Sequence, residues 1–497
     1  MYTLGYDVGS SSVKAALFDT QKGVAVAQST FPRNEMPIIA VKAGWAEQDP
    51  AMWWDAAKNA TREILYFSRI NPSDIKAIGI SYQMHGLVVV DKNKNVLRPS
   101  IIWCDSRAVE IGDRAFDAIG HQRCLQRMLN SPGNFTASKL RWVKENEPDL
   151  FAKIDKFMLP GDYLAMKLTG EVRTTMSGLS EGILWDFISN KVSDLVLSQY
   201  DIQENLVADM VPTFGDQGEL TSSAASEFGL KAGTKLTYRA GDQPNNAFSL
   251  NVLEPGQVAA TAGTSGVVYG ISDVIRYDPQ MRVNTFAHVN HSKDKNRFGI
   301  LLCINGTGIS YSWIRKLIGD SVSYSELNTL AAESPIGSKG LRFINFGNGA
   351  ERMLINKDLG ASFERLNFNI HRRAEVVRSV LEGVAFSFKY GIDIIEELEM
   401  KASEINAGHA NMFLSPVFTK TLATLSGATI NMYDTDGSVG AARAAAVGAG
   451  IYRSFEEAFT NLRKIMTVEP DEGKKEAYLS AYSDWLDLLK LKLKSKS

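Results

Sequence analysis

The first 90 residues alternate between short apolar segments and polar turns. Apolar stretches at 3–8, 15–19 and 25–30 are separated by Gly-Ser-Ser-Ser at 9–12 and by Thr-Gln-Lys-Gly at 20–23. Short apolar runs bounded by such turn residues predict strands, so this region is interpreted as an antiparallel meander. Asp49 and Pro50 then supply a helix cap and a first-turn proline, which predict a helix to about Ser68.

Strands and helices continue to alternate along the rest of the chain. Strands are predicted at 77–81 and 87–90 around a Gln-Met-His-Gly loop, and a strand at 235–240 is predicted to run into Gly241 and Asp242. A second hairpin is predicted over 258–269 around Gly-Thr-Ser-Gly, and a further strand at 430–433. Helices are predicted near residues 106–118, 136–146, 161–168, 191–199, 374–399, 413–426 and 439–451. This alternation predicts an α/β protein.

The length of 497 residues predicts more than one domain, because single hydrophobic cores stop growing near ~250–300 residues. We place the boundary near Asn251, which gives an N-terminal domain at 1–250 and a C-terminal domain at 251–497. A strand, a turn of glycine and hydroxyl residues and a second strand occur at 6–16 and again at 259–269. This similarity favours two related domains, although two such hairpins could also arise independently.

Charge and cysteine usage narrow the class of protein. Lys and Arg total 54 against 56 Asp and Glu, a net charge of −2 that disfavours nucleic acid as a partner. The 3 cysteines form no CxxC pair, which fits a reducing cytosol. No apolar run approaches the ~20 residues of a membrane helix, so we expect a cytoplasmic protein without a membrane partner. The lysine-rich residues 489–497 are interpreted as the end of a helix.

Two turns have the composition of phosphate-binding loops. Glycine lets backbone N–H groups approach an anion, and hydroxyl groups donate to phosphate oxygens. Asp7, at the end of the first strand, could hold Mg²⁺ through water. Each turn taken alone is also compatible with an ordinary β-turn. The candidate phosphate ligands are Gly9, Ser10, Ser11, Ser12 and Lys14 in the first hairpin and Gly263, Thr264, Ser265 and Gly266 in the second.

Further polar residues follow predicted strands of the N-terminal half. Asp242 could act as a general base toward a hydroxyl that attacks a phosphoryl group, or it could be a helix cap. An aromatic residue with nearby polar groups suits a sugar or polyol, and Met84, His85 and Trp103 follow two strands. Asp105 and Arg107 could join them, or they could pair with each other on the following helix.

These segments occur in an order that resembles the FGGY carbohydrate kinases, nearest to the xylulokinase branch of that family. The quoted similarities cover nearly the whole chain. They are GYDVGSSSVKAALFD, GWAEQDPAMWWDA, IKAIGISYQMHGLVVVD, LRPSIIWCDSR, AGDQPNNAF, GQVAATAGTSGV, SVLEGVAFSFKYGIDII and TDGSVGAARAAAVGAG. The segment rich in tryptophan and the Gln-Met-His-Gly loop are the specific part of this resemblance.

The resemblance implies a fold and an activity. The fold would be two ribonuclease H-like domains, as in actin and hexokinase, around a central cleft. The activity would be ATP- and Mg²⁺-dependent phosphorylation of a ketopentose, most simply D-xylulose to D-xylulose 5-phosphate, and family members are often homodimers. The implied catalytic residues are Asp242 as general base and Asp7 at the metal. The implied sugar ligands are Met84, His85, Trp103, Asp105, Arg107 and Asp242.

The chain departs from the family at the adenine-side segment. Where family members carry a run of glycines, this chain has Ala410, Asn411 and Met412, and Phe418 stands in place of a tryptophan. Ala410 and Asn411 are therefore the candidate nucleotide ligands in this segment. The alternatives are a kinase for ribulose, L-xylulose, fuculose or another polyol, and an inactive sugar-sensing homologue.

Overall fold

The computed structural model describes residues 1–319 and 321–495, which form two compact units. The first unit comprises Met1–Asn251 together with two later segments, Phe286–Phe298 and Thr435–Leu462. The second comprises Val252–Thr285, Gly299–Asp434 and the chain from Arg463 onward. Whether the functional domains divide at 250 and 251 stays a prediction.

The first unit contains most of the short strands and helices of the chain. Its strands are β1 (Tyr2–Val8), β2 (Val13–Asp19), β3 (Val24–Phe31), β4 (Glu47–Gln48), β5 (Ile75–Tyr82), β6 (Val88–Val90), β7 (Ser100–Ile101), β8 (Lys156–Met158), β9 (Arg173–Thr175), β10 (Trp185–Asp186), β11 (Lys191–Val192), β12 (Asp209–Val211) and β13 (Lys235–Gly241). Its first ten helices are α1 (Pro50–Ser68), α2 (Val109–Ile119), α3 (His121–Met128), α4 (Thr136–Asn146), α5 (Pro148–Phe151), α6 (Pro160–Thr169), α7 (Met176–Glu181), α8 (Asp194–Tyr200), α9 (Ser222–Phe228) and α10 (Asp242–Ser249).

The second unit follows, and two helices of the first unit interrupt it near the end. The strands are β14 (Gln257–Ala262), β15 (Gly266–Ser272), β16 (Asn284–Ala287), β17 (Phe298–Ile304), β18 (Arg342–Phe346), β19 (Gly360–Glu364), β20 (Glu404–Gly408), β21 (Thr429–Tyr433) and β22 (Lys464–Val468). The division between the units falls within β16 and at the first residue of β17, since 286–298 belong to the first unit. The helices are α11 (Gly308–Ile318), α12 (Tyr324–Glu333), α13 (Arg373–Glu397), α14 (Pro416–Ser426), α15 (Gly437–Gly448), α16 (Phe455–Phe459) and α17 (Lys475–Ser495), of which α15 and α16 belong to the first unit.

Each unit is built on one mixed sheet. The first sheet has the order β13-β5-β1-β2-β3, with the β1–β2–β3 meander antiparallel and β5 and β13 parallel to β1. The second has the order β16-β17-β15-β14-β20-β21-β22, in which β14, β20 and β21 are parallel. The predicted α/β class and both predicted hairpins are confirmed.

Helix α15 packs on the first sheet through small residues on both sides. A Cβ at Gly5 would lie 2.1 Å from the Ser438 carbonyl oxygen, and one at Gly79 would lie 2.1 Å from that of Ala441. Only glycine therefore fits these two strand positions. The alanine-rich sequence of α15 brings the helix backbone close to the strands, which places its N-terminus beside the end of β1.

Most predicted helices are confirmed to within a few residues. The Asp49 carboxylate accepts a hydrogen bond from the Ala51 N–H, and α1 begins at Pro50 as predicted. The helix predicted at 413–426 instead begins at Pro416, because the Ser415 side chain caps it. Among the described residues, no helix has both the length and the apolar character that a membrane crossing requires. Two residues of the basic end, 496 and 497, lie outside the described residues.

Candidate active site

Hydrogen bonds to three backbone carbonyls hold the turn between β1 and β2, one from within the turn and two from other segments. The Gly9 N–H donates to the Ser12 carbonyl at 3.0 Å, and the Met36 N–H donates to the Ser11 carbonyl at 2.8 Å. The Gln48 side chain donates to the Ser10 carbonyl at 2.6 Å and accepts from the Trp53 indole at 3.1 Å. Part of the tryptophan-rich motif thus supports the first candidate phosphate turn.

Asp7 lies near the end of β1 and is partly buried, and its carboxylate has neighbours on three other elements. The Ser81 hydroxyl donates to its Oδ1 at 2.8 Å, and Lys14 is its partner across the β1–β2 ladder. A Cβ at Gly437 would lie 2.6 Å from Asp7 Oδ2, so the first turn of α15 abuts this carboxylate. Burial raises the pKa of Asp7, opposed by Lys14 and by the Ser81 hydrogen bond, while the charge of Asp436 adds to the rise.

Asp242 is the first residue of α10, directly after β13. Strand β5 lies between β1 and β13, and Ser81 is in register with both Asp7 and Ala240. The two acids therefore share the carboxyl end of one sheet. Burial, and then the charge of Asp7, raise the pKa of Asp242 to about 7, against hydrogen bonds from Gln243 that lower it. A carboxylate in this state matches a general base that works near neutral pH.

The acidic residues at this edge fit a magnesium ion held only partly by protein. Within residues 1–319 and 321–495, no group of three or more His, Cys, Asp or Glu side chains is placed to hold a metal. Mg²⁺ usually keeps several waters and takes one or two carboxylates together with substrate phosphates. The mutual repulsion of Asp7, Asp242 and Asp436 would be relieved by a cation beside Asp7.

The Gln-Met-His-Gly loop after β5 lies against Gly241. A Cβ at Gly241 would come within 2.6 Å of Met84 Cγ and 2.8 Å of Glu181 Oε2. The His85 ring nitrogen Nδ1 is 2.9 Å from the Glu181 carbonyl oxygen, and since a carbonyl only accepts, Nδ1 carries the proton. Three elements, the loop, the end of α7 and the start of α10, therefore converge around Asp242.

The other predicted sugar residues have different surroundings. Trp103 is 52% exposed, and its indole N–H points to the Ser10 hydroxyl at 3.4 Å. Asp105 is fully buried and accepts from the Ala46 N–H at 2.6 Å and from the Arg107 guanidinium at 2.7 Å. Arg107 also pairs with Glu47 at 2.6 Å and stacks on Trp45. The structure thus shows Asp105 and Arg107 bound to each other and to the protein, while Trp103 faces solvent.

Sequence reasoning assigned no role to Glu181, Lys139 or Gln83, although Gln83 belongs to the Gln-Met-His-Gly loop that it had singled out. Glu181 is fully buried, and burial raises its pKa well above the ordinary range, reinforced by the charges of Asp242 and Asp162. Lys139 is fully buried in α4 and donates to two loop carbonyls. The Gln83 amide is 2% exposed and has no hydrogen-bond partner among the residues that the structure describes. The sequence of α4 does not single out Lys139, because the same helix also carries Arg141, Lys144 and Glu145.

The second candidate phosphate turn, between β14 and β15, lies in the second unit. The Gly308 N–H at the start of α11 donates to the Gly263 carbonyl at 2.9 Å, and the Ile309 N–H donates to the Thr264 carbonyl at 3.2 Å. Gly266 packs against Phe388 and Thr307, where a Cβ would come within 2.6 Å of both side chains. Gly263 and Thr264 border a cavity of about 460 Å³. The remaining lining residues are Ala262, Gly308, Ile309, Tyr311, Ser312, Tyr324, Asn328, Asn411, Met412, Leu414 and Ser415.

The altered adenine-side segment forms one wall of this cavity. Asn411 has φ 54°, the left-handed conformation that glycine adopts most easily and that asparagine tolerates better than most residues. Ala410 is extended, and Met412 is buried. A cavity is therefore present beside this segment, although Ala410, Asn411 and Met412 stand where the family that the sequence resembles has glycines.

Comparison with known proteins assigns the chain to a family. Residues 2–249 match the N-terminal domain of the FGGY family of carbohydrate kinases. The chain is 30% identical over 504 residues to the L-xylulose/3-keto-L-gulonate kinase of Escherichia coli (strain K12), covering 98% of this chain and 96% of that protein. It is 29% identical over 485 residues to the xylulose kinase of the same organism, with 96% of each covered.

Solved structures agree with this assignment. The xylulose kinase from Rhodospirillum rubrum superposes with a TM-score of 0.87 at 26% identity, covering 99% of each chain. The Plasmodium falciparum glycerol kinase with ADP has the same fold, with a TM-score of 0.86 at 19% identity and 98% of each chain covered. The chain therefore belongs to the FGGY family of carbohydrate kinases and is a sugar kinase with the two-domain fold of actin and hexokinase.

Proposed function

We propose that the protein transfers the γ-phosphoryl group of ATP to D-xylulose, forming D-xylulose 5-phosphate, with Asp242 as the general base. The observation that carries this proposal is the position of Asp242 at the carboxyl end of the first sheet, partly buried, beside Asp7. The choice of D-xylulose rests on the similarity to xylulose kinases. Other ketoses remain candidates, since a relative named for L-xylulose and 3-keto-L-gulonate is equally similar.

The proposed reaction needs one proton acceptor and one leaving group. The Asp242 carboxylate accepts the proton of the primary hydroxyl of the sugar. The hydroxyl oxygen bonds to the γ-phosphorus, the bond from that phosphorus to the β–γ bridging oxygen breaks, and ADP leaves with the electron pair. Bound Mg²⁺ would neutralise charge on the phosphate oxygens, and Asp7 is the side chain that would hold it through water.

The first unit supplies the proposed sugar ligands. Met84 packs against Gly241, the residue before Asp242, and His85 bonds to the Glu181 carbonyl. The exposed face of Trp103 suits the C–H surface of a sugar. The side-chain amide of Gln83, which has no hydrogen-bond partner in the part of the chain that the structure describes, adds hydrogen-bonding capacity at the end of β5. For Asp105 and Arg107, direct contact with the sugar stays a prediction, because both charged groups are already bound within the protein.

The second unit supplies the proposed nucleotide site. The cavity beside Gly263 and Thr264 has space for a nucleobase and sugar, and Asn411 lies on its wall. The N–H groups of the Gly263–Gly266 turn are the proposed phosphate donors of this unit. In the first unit, the proposed phosphate-binding element is the Gly9–Ser12 turn with the charge of Lys14. This intact cavity favours an active kinase over an inactive sugar sensor.

The proposal also covers the cellular location, the partners and the oligomeric state of the protein. Among the described residues, none of Cys104, Cys124 and Cys303 forms a disulfide, which supports the proposal of a reducing, cytoplasmic location. The net charge of −2 gives no support to a nucleic-acid partner. A homodimer is proposed from the resemblance alone, and light scattering after gel filtration tests it.

Substrate choice is tested by ADP formation with D-xylulose, D-ribulose, L-xylulose, L-fuculose and glycerol, each at several concentrations with Mg²⁺·ATP. We expect the highest kcat/KM with D-xylulose. A higher kcat/KM with another member would replace D-xylulose as the substrate. ADP formation at the same rate with and without every sugar would contradict sugar phosphorylation.

A further inference from the structure

The backbone at His85 is held in an unfavourable conformation. His85 has φ 63°, in the left-handed region that residues other than glycine seldom occupy. Such a conformation persists only where surrounding contacts hold it, and such positions cluster at functional sites. Its ring is fixed by the Glu181 carbonyl at 2.9 Å and by edge contact with Phe135 at 4.7 Å between ring centres.

The His85 backbone is fixed by a buried lysine. Lys139 Nζ donates to the His85 carbonyl at 2.8 Å and to the Ile102 carbonyl at 3.0 Å. The first carbonyl belongs to the loop that carries Met84 and His85, and the second immediately precedes Trp103. One ammonium group therefore joins the two loops that carry the proposed sugar ligands.

The charge of Lys139 is costly where it lies. The side chain is fully buried, and burial lowers the pKa of Lys139 to about 7, with Arg107 adding to the fall and with Asp105 and Cys104 opposing it. An apolar residue in α4 would avoid this cost, since removing an ammonium from water without full compensation is unfavourable. The compensation that the structure shows comes from the bonds to the two loop carbonyls and from the negative charge of Asp105.

We propose that Lys139 is a positioning residue for the sugar, which sets the His85 loop and the Trp103 loop relative to each other through their backbone carbonyls. This inference rests on the proposed function in one respect: it assumes that the loops carrying His85 and Trp103 bind the sugar. It assigns Lys139 no contact with the sugar or with ATP.

The test replaces Lys139 with methionine, which keeps the length of the side chain and removes its donors. For Lys139→Met we expect the KM of the sugar to rise at least about tenfold, with the KM of ATP within about twofold, because only the sugar loops lose a constraint. The sugar is whichever member of the panel the wild-type enzyme phosphorylates best. Failure of D-xylulose as substrate therefore does not affect this test.

Two variants serve as comparisons. Lys144→Met removes a lysine of the same helix that forms a surface pair with Asp201, and we expect both KM values to stay unchanged. Lys139→Gln retains N–H donors without the charge, and its sugar KM should lie between wild type and Lys139→Met. If Lys139→Met does not fold, Lys139→Gln provides the same comparison of the two KM values.

A crystal structure of the variant without sugar gives a readout independent of catalysis. We expect His85 to leave the positive-φ region, or the 83–86 and 102–107 loops to separate, in Lys139→Met. Equal rises in the KM of sugar and ATP would overturn the proposal, and so would an unchanged sugar KM with His85 still at positive φ.

Discussion

The raised pKa of Asp242 predicts an acidic limb in the pH dependence of the reaction. A general base must be ionised, so activity is present above its pKa and is lost as the pH falls through it. With a pKa of about 7, the ionised fraction is about 90% at pH 8 and about 10% at pH 6. We therefore expect kcat/KM to fall about tenfold between these two values.

A substitution of Asp7 should shift the pH at which this acidic limb occurs. Its charge is the second cause of the raised pKa of Asp242, after burial. Asp7→Asn removes that charge while keeping the shape of the side chain, so the limb should move to lower pH. Saturating Mg²⁺ should move it in the same direction, because a bound cation also favours the ionised carboxylate.

The assay is direct quantification of ADP by chromatography between pH 5.5 and 8.5, with circular dichroism to verify folding at each pH. Asp242→Asn should lose at least about 100-fold in kcat and show no acidic limb. Asp209→Asn, at an exposed aspartate of the same unit, should behave as wild type. A wild-type profile that is flat from pH 6 to 8, or a limb that persists in Asp242→Asn, would refute the assignment.

Three further substitutions test other parts of the argument. Asp7→Ala should raise the Mg²⁺ concentration for half-maximal turnover at least about tenfold, and an unchanged titration would remove Asp7 from the metal site. Gly79→Val should lower the free energy of unfolding by about 1–3 kcal/mol or more, measured by urea denaturation, because its Cβ would lie 2.1 Å from the Ala441 carbonyl oxygen. Gly473→Ala is the control, because a Cβ at Gly473 would have its nearest neighbour, Asp471 Oδ1, at an ordinary contact distance of 3.5 Å. An equal free energy of unfolding in the Gly79→Val and Gly473→Ala variants would contradict the packing argument. Asn411→Val should raise the KM of ATP but not that of the sugar, since a β-branched residue resists φ 54°, whereas Asn411→Gly should retain wild-type values.

The local pattern of the chain was sufficient for much of the fold. The cap and proline at Asp49 and Pro50 place the start of α1, and the two glycine–serine turns define their hairpins. These features depend on neighbouring residues, which a sequence displays directly. The position of Asp242 after a strand was predictable for the same reason.

The packing of α15 was not predictable in this way. Its sequence is almost uniformly small and apolar, so no polar face indicates which side is buried or against what. The partner is a set of glycines on strands more than 350 residues earlier in the chain. The helix fits there because its backbone comes close to these glycines, and such a backbone contact produces no pattern of side chains in the sequence.

By itself the sequence determined the α/β class, the two hairpin turns and the candidate acids Asp7 and Asp242, because each depends on short-range chemistry. Only the tertiary structure decided that Asp105 and Arg107 bind each other and that Glu181 and Lys139 flank His85. A buried charge is identified by the partners that compensate it, and those partners lie on separate elements that only the folded chain brings together.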